Sequence, residues 1–115
     1  MLRKKLCVWL LAVLAGACAQ TPAEPARTGN AAEGLRIAEI HCAHCHAIGE
    51  QGESTHPLAP PFRTLSRHYP VNSLEEAFAE GILVGHRDMP EFRLEPRQID
   101  DLIAYLNSVQ EQRGG

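Results

Sequence analysis

Two cysteines two residues apart, with a histidine directly after the second, occupy Cys42-Ala43-His44-Cys45-His46, and no other stretch narrows the chemistry of this chain as much. Two thiols and an imidazole within five residues have few common uses. A structural zinc site needs four ligands at suitable spacing; no second cysteine pair supplies them, although Cys42, Cys45 and two histidines can still assemble one. A dithiol redox centre of the thioredoxin kind follows a strand, and no strand pattern precedes Cys42. A structural disulfide is the plainest alternative. The spacing also matches the attachment sequence of c-type haem. There each sulfur adds to one vinyl group of the porphyrin, and a two-residue gap lets both reach neighbouring edges of one ring. The histidine that follows becomes the proximal ligand. On this reading Cys42 and Cys45 hold one haem c and His46 binds its iron.

The start of the chain fits that chemistry. Arg3, Lys4 and Lys5 precede an apolar run from Leu6 to Leu14, followed by small residues to Ala19, the pattern of an export signal. A membrane span needs about 20 apolar residues, roughly twice this run. Residues 1–19 are therefore expected to be cleaved, outside the bacterial cytoplasm, where haem c is attached. Two cuts stay open. Ala17-Cys18-Ala19 suits release of a chain beginning at Gln20, whereas Leu14-Ala-Gly-Ala-Cys18 resembles a lipobox that makes Cys18 a lipid anchor. Residues 20–30, small and Pro-containing, read as a flexible tether, and residues 31–112 as the folded domain.

After cleavage, eight basic residues, all Arg, face fourteen acidic ones, a balance of 8 − 14 = −6 for the polypeptide. This excludes nucleic-acid binding by electrostatics. Only Cys42 and Cys45 remain in the domain, so it is not a disulfide framework.

Three helices are legible, and no convincing strand. The first is expected from Ala31 to Ala43, with Asn30 as cap and Glu33 completing a box-like pattern. The second is expected from Ser73 to Ile82, opened by the capping box Ser73-Leu-Glu-Glu76 and ended near Gly81 and Gly85. The third begins at Pro96 and carries Ile99, Leu102, Ile103, Leu106 and Val109 on one stripe, with Tyr105 beside it. Between the first two lies a Gly- and Pro-rich stretch from Gly49 to Pro70, long for a compact domain unless a bound group organises it.

Met89, in His86-Arg-Asp-Met-Pro-Glu-Phe92, is the one methionine of the mature chain. It lies in a turn-forming, charged loop instead of on a helix stripe, which suits a sixth iron ligand better than a space-filling role. His41 and His44 are confined near the attachment segment. His86 shares the Met89 loop and is the serious rival. His/Met ligation raises the reduction potential, whereas bis-histidine ligation lowers it.

In this order of parts, from about Ala31 to Gln110, the chain resembles class I cytochrome c, the small monohaem electron carriers of bacteria and mitochondria. The resemblance implies an all-α cytochrome c fold, with N- and C-terminal helices crossing and loops wrapped around one covalent haem. Gly34 stands where the family's crossing glycine is expected, and Leu102 with Tyr105 matches its Leu-x-x-aromatic pair. Ala38 departs from the aromatic residue often found in that crossing. The resemblance also implies a proline carbonyl that accepts from the proximal histidine. Pro60 in Leu58-Ala-Pro-Pro-Phe62 is its counterpart, with Pro61 the fallback. Arg63, Arg67 and Tyr69 are candidate propionate donors.

The function implied is a periplasmic, monomeric electron-transfer carrier, not an enzyme. It would meet transient redox proteins and touch a membrane only through an anchor at Cys18. The alternatives are an electron-accepting haem subunit of a periplasmic dehydrogenase, and a ligand-binding or peroxidatic haem protein with a labile sixth position.

Overall fold

The computed structural model describes residues 28–81, 86–91 and 93–111. The expected signal, the tether up to residue 27 and the positions of Ile82, Gly85 and Phe92 lie outside the described residues. Among the described residues there are three α-helices and no strand.

Helix α1 spans Ala31–His41. The Asn30 side chain accepts from Ala32 N and Glu33 N at 2.9 and 3.3 Å, filling two of the helix's orphan donors. The second half of the expected box differs: Asn30 N donates to Asp101 Oδ1 of the last helix at 2.7 Å. The helix ends two residues before Ala43, because Cys45 N and His46 N both turn back to Cys42 O, at 3.1 and 3.0 Å.

Helix α2, Leu74–Glu80, is shorter than expected and begins differently. Val71–Ser73 forms a 3₁₀ turn that leads straight into it, so Ser73 already has helical dihedrals and makes no side-chain cap. The capping box proposed for Ser73-Glu76 does not form, because a helix that continues an existing turn has no free first donors at that point. Glu75 and Glu76 still sit in the first turn, where the helix dipole favours negative charge. Gly81 ends the helix at φ +72°, the left-handed conformation glycine adopts without steric cost.

Helix α3 spans Pro96–Ser108, with Gln98 Oε1 accepting from Glu95 N at 3.0 Å across its first turn. Its stripe supplies Ile99, Leu102, Leu106 and Val109 to the core, and Leu102 and Leu106 are fully buried. Such burial stabilises by about 1.5–3 kcal/mol per side chain.

The most extensive packing is α1 against α3. It depends on Gly34: a Cβ there would lie 2.0 Å from Asp101 O and 2.7 Å from Tyr105 Cβ. The backbones approach closer than any other residue allows. Ala38, wholly buried in this cluster, keeps the neighbouring turn small. The glycine costs about 0.5–1 kcal/mol of helix propensity, which the buried crossing offsets.

The long connection between α1 and α2 is partly ordered by a 3₁₀ helix, Phe62–Arg67, within the stretch expected to be loop. Phe62 and Leu65, three residues apart, point into the core. Gln110 pins this element to the end of α3. Its Oε1 accepts from Ser66 N at 2.8 Å, and its Nε2 donates to Phe62 O at 2.7 Å.

Gly34→Ala is expected to destabilise the protein by about 3 kcal/mol, since the added Cβ must push the two backbones apart. Chemical denaturation of the haem-loaded protein, followed by far-UV circular dichroism, checks this.

Candidate functional site

The ends of α1 and α3, the 62–67 element, α2 and the 86–90 loop surround one cavity, open to solvent on one side. Its walls are largely apolar: Phe62, Leu65, Leu74, Phe78 and Leu106 contribute, together with Tyr69. Cys42, Cys45, His46, Pro60 and Met89 all line it, so the five residues singled out in the sequence share one space. His41, His44 and His86 line it too, whereas His56 and His68 do not.

The turn that closes on Cys42 O holds the attachment segment at the cavity wall. The 54–56 stretch braces it from outside: Thr55 Oγ1 donates to His44 O at 2.6 Å, His56 N to Cys45 O at 3.2 Å, and Ala47 N to Ser54 Oγ at 3.0 Å. Phe62 N donates to Ala47 O at 2.9 Å and draws the two prolines alongside. Both cysteines are free thiols here, Cys42 buried and Cys45 half-buried. Burial pushes the Cys42 thiol up to about 11, so it stays protonated at neutral pH.

His46 Nδ1 lies 2.8 Å from Pro60 O. A carbonyl only accepts, so Nδ1 carries the hydrogen and Nε2 is left with its lone pair for a metal. Burial lowers the His46 pKa; the Pro60 bond opposes this, and the nearby His86 and His56 add to the lowering. The imidazole is thus favoured in the neutral form that coordinates metals. Phe62, its ring centre 5.1 Å away, packs against it.

Met89 is half-buried and packs against the hydrophobic core. Its backbone N donates to His86 O at 3.2 Å, so His86 and Met89 are the two ends of one turn. Both ring nitrogens of His86 are out of reach of solvent and have no hydrogen-bond partner. Leaving a buried polar atom unsatisfied costs about 1–3 kcal/mol. Sequence distinguishes His86 only by its place in the loop; no residue pattern signals an orphaned imidazole.

Two candidate donors are engaged elsewhere. Arg63 donates to Gly52 O at 2.8 Å and pairs with Glu111 at 3.3 Å. Arg67 also pairs with Glu111. Neither guanidinium lines the cavity, because the start of the 62–67 element is tied to the chain after α3, with Glu111 N donating to Arg63 O at 2.9 Å. Tyr69 does line it, and burial raises its pKa, keeping the hydroxyl protonated as a donor.

The site fits a haem on its own chemistry. The cavity has apolar walls, two thiols at one edge, a neutral imidazole with a metal-ready nitrogen, and a thioether and a second imidazole on a separate loop. Among the described residues no group of three or more His, Cys, Asp or Glu forms a metal cluster. That counts against the zinc reading of Cys42 and Cys45.

Comparison with known proteins agrees. A cytochrome c family profile matches residues 31–110. Cytochrome c6 of Nostoc sp. (strain PCC 7120) is 33% identical over 88 residues, covering 71% of this chain and 73% of its own length. Among solved structures, the crystal structure of SoxXA from P. pantotrophus aligns with a TM-score of 0.57 at 23% identity. The match covers 75% of this chain and 85% of that one, a likeness of fold.

Replacing both Cys42 and Cys45 by Ala is expected to abolish covalent haem, seen as loss of the haem mass from the intact protein. Each single variant retains one thioether, read by a red-shifted pyridine-haemochrome band.

Proposed function

Because the chain belongs to the cytochrome c family, we propose that its electron-transfer haem is ligated by His46 and Met89, in a carrier exported to the bacterial periplasm. Haem c is held covalently through Cys42 and Cys45. When bound it supplies a one-electron Fe(III)/Fe(II) couple. The observation that carries the ligand reading is the shared cavity, with His46 positioned by Pro60 and Met89 presented from the 86–89 turn.

Each residue has a defined task. Cys42 and Cys45 fix the orientation of the group. Pro60 O accepts from Nδ1–H, which locks the imidazole plane and strengthens Nε2 as a donor. Met89 brings an uncharged sulfur that favours the reduced state. Phe62, Leu65, Phe78 and Leu106 exclude water, so little solvent reorganises when the charge on the site changes. With both protein ligands kept through the cycle, no open position is needed for a substrate.

Export to the periplasm is supported by the Arg3-Lys4-Lys5 start, the apolar run and the haem chemistry itself. Among the described residues no helix is long and apolar enough to cross a membrane, so any membrane contact would pass through Cys18. A polypeptide charge of −6 after cleavage, with Arg as its one strongly basic residue type, suits transient redox partners with basic or apolar docking faces.

The oxidised protein is expected to show the long-wavelength iron–sulfur charge-transfer band. Met89→Ala should abolish it and lower the reduction potential by a sizeable part of the ~0.8 V range that axial ligation spans. A parent protein without the band, unchanged in Met89→Ala, would eliminate Met89 as ligand.

A further inference from the structure

The Met89 loop carries a second donor that the carrier function does not use. His86 and Met89 are joined by the Met89 N to His86 O bond and line the same cavity. The His86 ring centre lies 5.8 Å from that of His46, with the planes at 49°. Two imidazoles sharing one metal, each with a metal–nitrogen bond of about 2.0–2.1 Å, have ring centres roughly 6 Å apart. The separation leaves room for both imidazoles to reach one metal.

The state of the nitrogens sharpens the point. His46 uses Nδ1 on Pro60 O. His56 uses both of its own: Nδ1 accepts from Leu58 N at 3.1 Å, and Nε2 faces Asp88 Oδ2 at 3.4 Å. His86 uses neither, although both are buried. Its ring stacks on that of His56, with centres 5.8 Å apart and planes at 23°. The His56–Asp88 contact ties this stack to the residue before Met89. An imidazole held by stacking, shielded from water and without a hydrogen bond is arranged as a donor in waiting.

We propose that His86 is a stand-in distal ligand, which binds the iron through a ring nitrogen whenever the Met89 thioether leaves it. The exchange breaks one iron–sulfur bond and forms one iron–nitrogen bond, with no change in oxidation state. It keeps the centre six-coordinate and moves it from a high-potential to a low-potential form. The open position that a ligand-binding or peroxidatic haem needs would then be closed even after loss of the thioether. The proposal rests on Met89 being the resident ligand.

The test uses haem-loaded parent protein, Met89→Ala, His86→Ala and the double variant. Optical and electron paramagnetic resonance spectra, the reduction potential and carbon monoxide binding are read on each. The parent and His86→Ala should both keep the iron–sulfur band. Met89→Ala should lose it yet stay low-spin, with a bis-imidazole resonance signature, a lowered potential and slow carbon monoxide binding. The double variant should be high-spin and bind carbon monoxide at least an order of magnitude faster. His56→Ala placed in the Met89→Ala background should remain low-spin, and unchanged haem mass and helical circular dichroism certify that each variant is folded.

A Met89→Ala protein that is high-spin and matches the double variant overturns the proposal while leaving Met89 as ligand. Loss of the low-spin state through His56→Ala overturns it in favour of His56. A parent without the iron–sulfur band that turns high-spin in His86→Ala overturns both this proposal and the Met89 reading, since His86 would then be the resident ligand.

Discussion

The apolar cavity at the centre of this domain of some eighty residues needs a bound group to complete its packing. So small a chain buries a modest fraction of its surface on folding, and the apolar groups around a void have no packing partners on one side. Haem c supplies those partners. Phe62, Leu65, Leu74, Phe78 and Leu106 then have a common surface to pack against, and the long connection between α1 and α2 has something to wrap around. The covalent link through Cys42 and Cys45 makes this surface a permanent part of the chain. The fold and the redox centre are therefore one arrangement, in which the same apolar walls stabilise the domain and keep water from the metal.

What the chain provides by itself is a frame at the edge of that cavity. Gly34 allows α1 and α3 to touch backbone to backbone, and the Asn30–Asp101 bond fastens the start of α1 to the same turn of α3. Tyr105 donates from α3 to Ile48 O at 2.8 Å, just beyond the attachment segment. Burial and the nearby Glu39 and Glu50 raise its pKa, so this donor keeps its hydrogen. Gln110 and Glu111 carry the frame on to the 62–67 element. α3 thus connects the proximal side of the site with its apolar floor. α2 reaches the distal loop more loosely, through Leu94 N to Phe78 O at 3.5 Å and Arg93 to Glu80 O at 3.1 Å. His46 is held by short bonds to Pro60 O and Cys42 O, whereas His86 and Met89 share one turn.

The readable parts of the sequence were those whose cause is local. The attachment motif needs a spacing of two, and the stripe from Ile99 to Val109 needs only a helical period. Gly34, Leu102 and Tyr105 were legible through resemblance, and the close crossing shows why that position takes no side chain. Less legible was the 62–67 element, where a run of prolines and a single three-residue apolar spacing conceal a 3₁₀ helix. The proposed cap at Ser73 failed because the preceding turn, not the local motif, decides how α2 begins. Arg63 and Arg67 were plausible donors to the cofactor until Glu111, far along the chain, took them.

By itself the sequence determined the chemistry on offer: two thiols, an imidazole and a thioether, framed by three helices. Each of these follows from residue types and short spacings, which act before the chain has folded. Only the tertiary structure decided which of two adjacent proline carbonyls meets His46, because the Phe62–Ala47 bond sets the register of that loop. Only the tertiary structure, likewise, showed which histidine nitrogens are satisfied. The sequence singles out His86 only by its loop; packing gives the His56 nitrogens two partners and the His86 nitrogens none. Whether a nitrogen is satisfied depends on what the rest of the chain brings within about 3 Å of it, and that is a property of the fold.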